Sequence, residues 1–130
     1  MKTGGLRKFG NKKERTTDTP LVSIITIVYN GENHLKDTIK SVVSLNYNNI
    51  EYIVIDGGST DKTIEILHEY DKVIDFWISE SDNGISDAFN KGIHYANGDI
   101  IGLINADDWY EANIIKRIMN SPNVRNSLKE

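Results

Sequence analysis

The residues from Leu21 to Tyr29 are the feature that most constrains the fold of this chain. The run reads Leu-Val-Ser-Ile-Ile-Thr-Ile-Val-Tyr, so it is rich in β-branched residues and carries apolar side chains at both odd and even positions. A strand with this pattern needs cover on both faces, which is typical of a central strand in a parallel sheet. Helices packed on both faces of the sheet would provide that cover.

Further apolar runs and periodic segments alternate along the chain. Strands are predicted at 50–55, 73–79 and 99–104, because each is a short apolar run that ends at a turn. Helices are predicted from about Glu32, after Asp61, from Ile85 to about Asn97, and between the 105–108 turn and Pro122. This alternation predicts an α/β fold with a mostly parallel sheet and helices on both faces.

The length of 130 residues suits one domain. Residues 1–19 are polar and carry a net charge of +4, which leaves −8 for the remainder. We therefore predict a flexible basic tail at 1–19 and a domain from residue 20 to residue 130. The acidic character of that domain argues against a nucleic-acid-binding face.

Composition excludes several kinds of chemistry. The chain has no cysteine, which rules out disulfides, zinc–thiolate sites and thiol nucleophiles. Its longest apolar runs are far shorter than a membrane span, and the first 18 residues do not resemble a secretory signal. We expect a cytoplasmic protein, and this expectation is compatible with peripheral contact at the inner face of the membrane.

Polar residues follow three of the predicted strands. They are Tyr29-Asn30, Asp56-Gly57-Gly58 and Asn105 to Asp108. Ligands of open parallel sheets bind at the carboxyl ends of the strands, so the sequence predicts a site where these three turns meet.

Asp107 and Asp108 are adjacent acids directly after an apolar strand. Two close carboxylates repel, and a hard cation such as Mg²⁺ or Mn²⁺ relieves that repulsion while keeping positions for water and phosphate oxygens. The same pair could instead cap the next helix and interact with its positive end. Spacing alone favours neither interpretation.

The other candidates also have two interpretations each. Asp56 and Gly57 could contact a base or ribose, or form an ordinary turn. Tyr29 could stack on a nucleobase or belong to the core. Lys91 could meet a diphosphate, although a solvated lysine is more common. The histidines share no metal-ligand spacing and receive no role.

Four segments taken together resemble the family 2 glycosyltransferases. They are Ile25-Thr26-Ile27-Val28-Tyr29-Asn30, residues 52–61 with Asp56-Gly57-Gly58-Ser59-Thr60-Asp61, residues 82–93 with Asp82-Asn83-Gly84 and Asn90-Lys91-Gly92, and Asn105-Ala106-Asp107-Asp108-Trp109. The order and spacing of these segments match the family from about Pro20 to Met119.

The resemblance implies a GT-A fold and metal-dependent transfer of a sugar, with inversion, from a nucleoside-diphosphate sugar to a saccharide or lipid-linked acceptor. It further implies a place in cell-surface polysaccharide synthesis, Mg²⁺ or Mn²⁺ as cofactor, and a donor for which UDP is favoured over GDP and dTDP. The implied donor-binding residues are Thr26, Tyr29, Asn30, Asp56, Gly57, Lys91, Asn105 and Asp107, with Asp107 and Asp108 on the metal.

Three positions depart from the family pattern. Gly57 stands where many members have a second Asp, Phe89 where many have Arg, and Asn105 where the first acid of the Asp-x-Asp motif is expected. The family's general base lies C-terminal to that motif, so we assign no catalytic residue and expect the base beyond Glu130. The alternative is a nucleotide-sugar-binding fragment without turnover. A phosphoryl-transfer domain is disfavoured, because it would need an isolated phosphorylatable Asp with a Lys partner late in the sheet, and we find no such lysine after a final strand.

Overall fold

The computed structural model describes residues 1–14, 16 and 18–106. Five strands in this part of the chain form one sheet in the spatial order β1-β4-β3-β2-β5, in which β1 is antiparallel to β4 and the other pairs are parallel. Their bounds are β1 Lys2–Gly4, β2 Val22–Val28, β3 Ile50–Asp56, β4 Phe76–Ser79 and β5 Ile100–Asn105.

The β2 strand occupies the interior of the sheet. Its neighbours pair in step with it, from Val22 opposite Ile50 in β3 and opposite Ile100 in β5. All seven residues of β2 are buried, as the two-sided apolar pattern predicts. The carboxyl ends of β2, β3 and β5 consequently lie side by side at one edge of the sheet.

Three helices cover the two faces of the sheet: α1 Leu35–Val43, α2 Thr63–Glu69 and α3 Ile85–Tyr95. One core cluster joins apolar residues of α1 and α2 to one face, and a second joins α3 to the other. Gly92 allows α3 to approach closely, because a Cβ at this position would collide with Ile25 of β2. The predicted α/β fold with helices on both faces is confirmed.

Some element bounds differ from the sequence-based predictions. The first helix begins at Leu35 rather than near Glu32, and the third predicted strand begins at Phe76 rather than Val73. Val73 and Ile74 instead donate backbone hydrogen bonds to the Tyr70 carbonyl, so they belong to the turn that ends α2. The predicted helix after the 105–108 turn lies outside the described residues. Among the described helices, none is long and apolar enough to cross a membrane.

The N-terminal segment differs from the predicted flexible tail. Residues 2–4 form β1 on the outer edge of β4, and a 3-10 turn follows at Leu6–Phe9. The amides of Leu6 and Arg7 donate to the carbonyls of Ile74 and Asp75, each at 2.9 Å. Because these partners belong to a distant part of the chain, the polar composition of the segment does not reveal them.

Arg7 gives the segment an electrostatic role, because it pairs with the buried carboxylate of Glu51. Glu51 is only 1% exposed and also accepts hydrogen bonds from the Ser23 hydroxyl at 2.6 Å and the Asn97 amide at 2.9 Å. Burial raises the pKa of Glu51, but the hydrogen bonds from Asn97, Ser23 and Arg7 outweigh it and bring the pKa below its ordinary value. Glu51 is therefore an ionised carboxylate held inside the fold.

Replacing Arg7 with Leu should lower the free energy of unfolding by about 3 kcal/mol, because it leaves a buried carboxylate without its counter-charge. Urea denaturation at neutral pH measures this change. Lys8→Leu is the matched control, since Lys8 is an exposed cation in the same turn, and it should change stability by less than about 0.5 kcal/mol. Equal stability of the Arg7 and Lys8 variants would show that the pair does not hold the segment in place.

Candidate functional site

The carboxyl edge of the sheet is assembled from four loops. The loop after β2 begins at Tyr29, the loop after β3 at Gly57, the loop after β4 at Glu80, and Asn105 ends β5. Parallel pairing continues past the strands, because the Gly57 amide donates to the Val28 carbonyl at 2.9 Å and the Ala106 amide donates to the Ile27 carbonyl at 3.1 Å. The predicted meeting of these turns is therefore present in the structure.

Asp56, the last residue of β3, holds the loop after β3 at this edge through hydrogen bonds. It is fully buried, and its Oδ2 accepts hydrogen bonds from the Gly58 amide at 3.2 Å, the Ser59 amide at 2.9 Å and the Ser79 hydroxyl at 2.6 Å. The Ser59 hydroxyl donates to Oδ1. Four donors from the protein occupy this carboxylate, so Asp56 holds the loop after β3 and is not exposed to a ligand. The predicted contact with base or ribose is not supported by this geometry.

A second set of hydrogen bonds joins the loop after β3 to the loop after β2. The Asn30 amide donates to the Ser59 hydroxyl oxygen at 2.7 Å, and the Asn30 side-chain oxygen accepts from the Thr60 amide at 2.9 Å. Asn30 adopts a left-handed backbone conformation with φ 49°, which asparagine tolerates better than most residues. Asn30 thus joins the loop after β2 to the loop after β3 by hydrogen bonds, a role that the sequence does not indicate.

The same two loops exchange further contacts beyond Asn30. The Gly31 amide donates to the Thr63 hydroxyl oxygen at 2.9 Å, the Glu32 amide donates to Asp61, and the Lys62 amide donates back to Glu32. This reciprocal pattern fixes the start of α1 against the start of α2. Where the two loops border α1 and α2, they are therefore held together by hydrogen bonds.

Two clefts open at this edge, one on each side of the end of β2. One has a volume of about 250 Å³ and the other about 230 Å³. Both are lined by Ile27, Val28, Tyr29 and Asn105; the first adds Asp82, Gly84, Ile85 and Ala88, and the second adds Asn30, Gly31, His34 and Ala106. Tyr29 is 64% exposed, so its ring is available to a ligand rather than buried in the core.

Clefts of similar or larger volume lie away from this edge. One of about 470 Å³ lies over α1 and α2 and is lined largely by charged side chains such as Lys36 and Glu69, which pair with each other. Another, of about 280 Å³, lies near Tyr47 and Asp75 at the opposite end of the strands. Neither of these two clefts is lined by the polar residues that end β2 and β5. We therefore place the candidate site at the carboxyl edge of the sheet.

Thr26 does not reach the clefts. Its side chain is fully buried, and its hydroxyl is 2.9 Å from the hydroxyl of Tyr52 in the core between the sheet and α1. Burial raises the pKa of Tyr52, so that hydroxyl stays protonated. Side chains alternate along β2, and Thr26 lies on the face covered by α1 and α2, so it lines neither cleft and its predicted role in a nucleoside pocket has no support from this geometry.

Lys91 also has protein partners. Its ammonium group lies 3.3 Å from Glu80 and 3.7 Å from Asp87, and it donates to the Ser81 carbonyl at 3.1 Å. These contacts tie α3 to the loop after β4. Lys91 therefore positions that loop in this structure, and its contact with a diphosphate stays a prediction.

The predicted metal ligands Asp107 and Asp108 lie outside the described residues. Within residues 1–14, 16 and 18–106, no group of three or more His, Asp or Glu side chains is arranged to hold a metal ion. Asn105, the last residue of β5, is exposed and lines both clefts, so the chain enters the Asp107-Asp108 segment from the floor of the site.

Comparison with known proteins assigns the family. The chain matches the profile described as "Glycosyl transferase family 2" over residues 23–121. The protein belongs to glycosyltransferase family 2. The matched range contains all four motifs of the sequence analysis, and it begins after β1 and the Arg7 turn. The N-terminal segment is thus an addition to the part that this family shares.

Several bacterial relatives of this family 2 domain carry glycosyltransferase names. It is 38% identical over 104 residues to an uncharacterized glycosyltransferase of Haemophilus influenzae, covering 78% of this chain and 42% of the relative. It is 34% identical over 103 residues to TuaG of Bacillus subtilis, a putative teichuronic acid biosynthesis glycosyltransferase by name, covering 76% and 41%. The chain therefore spans less than half the length of these relatives.

Solved structures confirm that the fold is of the GT-A type. The domain superposes on S. aureus TarS 1-349 in complex with UDP-GlcNAc with a TM-score of 0.68 and 21% identity, covering 75% of this chain and 30% of that TarS chain. It superposes on the mannosyltransferase PcManGT from Pyrobaculum calidifontis in complex with GDP-Man and Mn²⁺ with a TM-score of 0.71 and 21% identity, covering 89% and 38%.

Replacing Asp56 with Ala should lower the free energy of unfolding by about 3 kcal/mol, because four donors lose their shared acceptor in a buried place. Thermal and urea denaturation measure the loss. Asp37→Ala is the matched control, since Asp37 is an exposed carboxylate on α1, and it should change stability by less than about 0.5 kcal/mol. An Asp56 variant as stable as the control would contradict the structural role given to this carboxylate.

Proposed function

We propose that the protein to which this chain belongs transfers a sugar from a nucleoside-diphosphate sugar to a saccharide or lipid-linked acceptor, with inversion and with Mg²⁺ or Mn²⁺. The observation that carries the proposal is the pair of open clefts around Tyr29, which Asn105 also lines, two residues before Asp107 in the sequence. An exposed aromatic ring beside an acidic turn suits a nucleobase and a metal-bound diphosphate at neighbouring positions.

The names of related proteins support the same substrate class. TarS has been crystallised with UDP-GlcNAc and PcManGT with GDP-Man and Mn²⁺, so nucleotide sugars bind to domains of this fold. The name of TuaG refers to teichuronic acid biosynthesis, which supports a place in cell-surface polysaccharide synthesis for this protein. UDP is the favoured nucleotide of the proposal. A cytoplasmic location with peripheral contact at the membrane stays a prediction.

Each part of the site would have a distinct task. Tyr29 would stack on the base, Asn105 would donate to or accept from the nucleoside, and Asp107 and Asp108 would hold the metal. When bound, the metal supplies positive charge that stabilises the departing diphosphate. The hydrogen bonds that join Asp56, Ser59 and Asn30 would keep the loops in place while the ligand binds.

The hydrogen bonding of Asp56 favours a second function for this chain taken alone, which is binding of a nucleotide sugar without transfer. Asp56 is the carboxylate that ends a strand at this edge within the described residues, and its oxygens are fully occupied by protein donors. Asp56 is not placed to deprotonate an acceptor, which supports binding of the donor without transfer by this chain alone. A donor-hydrolysis and transfer assay on this chain separates the two functions, because turnover would exclude the binding-only alternative.

Binding of UDP to this chain should depend on Mn²⁺ and on the acidic turn. We expect calorimetry to show binding with Mn²⁺ that falls at least about tenfold in EDTA, because Asp107 and Asp108 would hold the metal and its positive charge would favour the diphosphate. Asp107→Asn combined with Asp108→Asn should remove the effect of Mn²⁺. Asp18→Asn, which changes an exposed carboxylate in the N-terminal segment, should leave it unchanged.

Two results would contradict the proposal. One is the absence of binding to UDP, GDP and dTDP in the presence of Mn²⁺. The other is binding that is equally strong with Mn²⁺ and with EDTA. That result would show a nucleotide site that does not depend on a metal.

A further inference from the structure

The loops after β3 and β4 meet at Gly57 and Asp82. A Cβ added to Gly57 would lie 2.9 Å from Oδ2 of Asp82, which is closer than real Cβ contacts allow. The Asp82 carboxylate therefore occupies the space that a side chain at position 57 would fill. In this chain the absence of a side chain at one position makes room for a carboxylate from another loop.

Asp82 is one of the residues that line the first cleft. The residue is half-buried in the cleft of about 250 Å³ that Tyr29 and Asn105 also line. Its Oδ1 accepts a hydrogen bond from the Gly84 amide at 3.1 Å, which fixes the orientation of the group. Among the described residues Oδ2 has no hydrogen-bond donor, so it can accept a hydrogen bond from a ligand.

Lys91 forms its ion pairs with carboxylates other than Asp82. Lys91 is the cation of this loop, but it pairs with Glu80 and Asp87 rather than with Asp82. Lys91 also donates to the carbonyl of Ser81, the residue directly before Asp82. The lysine therefore holds the backbone that carries Asp82 without neutralising its carboxylate.

We infer that Asp82 determines which base this site accepts, by accepting a hydrogen bond from a ring N–H of the nucleotide. The inference rests on the proposed nucleotide-sugar function. An ionised carboxylate only accepts hydrogen bonds. Uracil, thymine and guanine carry a ring N–H on the edge that faces away from the sugar, whereas cytosine and adenine carry a lone pair there. A lone pair facing Oδ2 is repelled, so cytidine and adenosine nucleotides are disfavoured.

The test compares UDP with CDP, which differ in the base and share the diphosphate. Calorimetry in the presence of Mn²⁺ should show that the unsubstituted chain binds UDP at least about tenfold more tightly than CDP, the ratio expected for one hydrogen bond to a charged group. Asp82→Asn should bring the two affinities within about threefold, because an amide can donate to the cytosine ring nitrogen.

Three further variants make the result specific to the position of the carboxylate. Glu80→Gln removes a charge from the same loop outside the cleft, and it should keep the preference for UDP. Asp82→Ala should lose the preference. Adding Gly57→Asp to Asp82→Ala should restore at least part of it, because the new side chain enters the space that Asp82 has vacated.

The outcomes separate this inference from the proposed function. If the unsubstituted chain prefers UDP and Asp82→Asn keeps the full preference while its melting temperature is unchanged, Asp82 does not select the base and the inference is overturned. A chain that binds UDP and CDP equally would overturn it as well. If the unsubstituted chain binds no nucleotide with Mn²⁺, the proposed function fails and this inference fails with it.

Discussion

The structure depends on the position of β2, which is paired in parallel on both sides and covered on both faces. A strand in that place can expose nothing along its length, and all seven residues from Val22 to Val28 are buried. Its first accessible residues are Tyr29 and Asn30, at the carboxyl end. The pairing with β3 and β5 brings Gly57 and Asn105 to the same edge. The location of the site therefore follows from the burial of one strand.

Carboxylates in this domain divide into those that hold the fold and those available to a ligand. Glu51 and Asp56 lie near opposite ends of β3, both are buried, and each accepts several hydrogen bonds from other elements. Such groups stabilise only when fully partnered, and here the partners include Arg7 from outside the range shared with the family. Asp82 is different, because it lines the cleft and only its Oδ1 accepts a hydrogen bond from a donor among the described residues.

The fold could be predicted from the sequence because the spacing of apolar residues along each segment indicates strand or helix. The roles of the site residues were harder to predict, because they depend on burial and on hydrogen-bond partners that are distant in the sequence. The two-sided apolar run at Leu21 to Tyr29 required a covered parallel strand, and the edge with Tyr29 and Asn105 followed from the positions of the turns. β1 could not be foreseen, since Lys2–Gly4 has no apolar alternation and its order comes from pairing with β4. Asp56 looked like a ligand contact because its partner Ser79 is 23 residues away. The signal for Asp82 was present in Gly57, but only the geometry joins the two.

The central claim is that the nucleotide binds at the carboxyl edge of the sheet, and an amide chemical-shift titration tests it most directly. A ¹⁵N-labelled chain titrated with UDP and Mg²⁺, which is not paramagnetic, should show its largest shifts at the amides of Tyr29, Asn30, Gly57 and Asn105. The amides of Ser23 and Asn97, at the other end of the strands, should change little. The largest shifts at that opposite end, or around the cleft near Tyr47 and Asp75, would contradict the account.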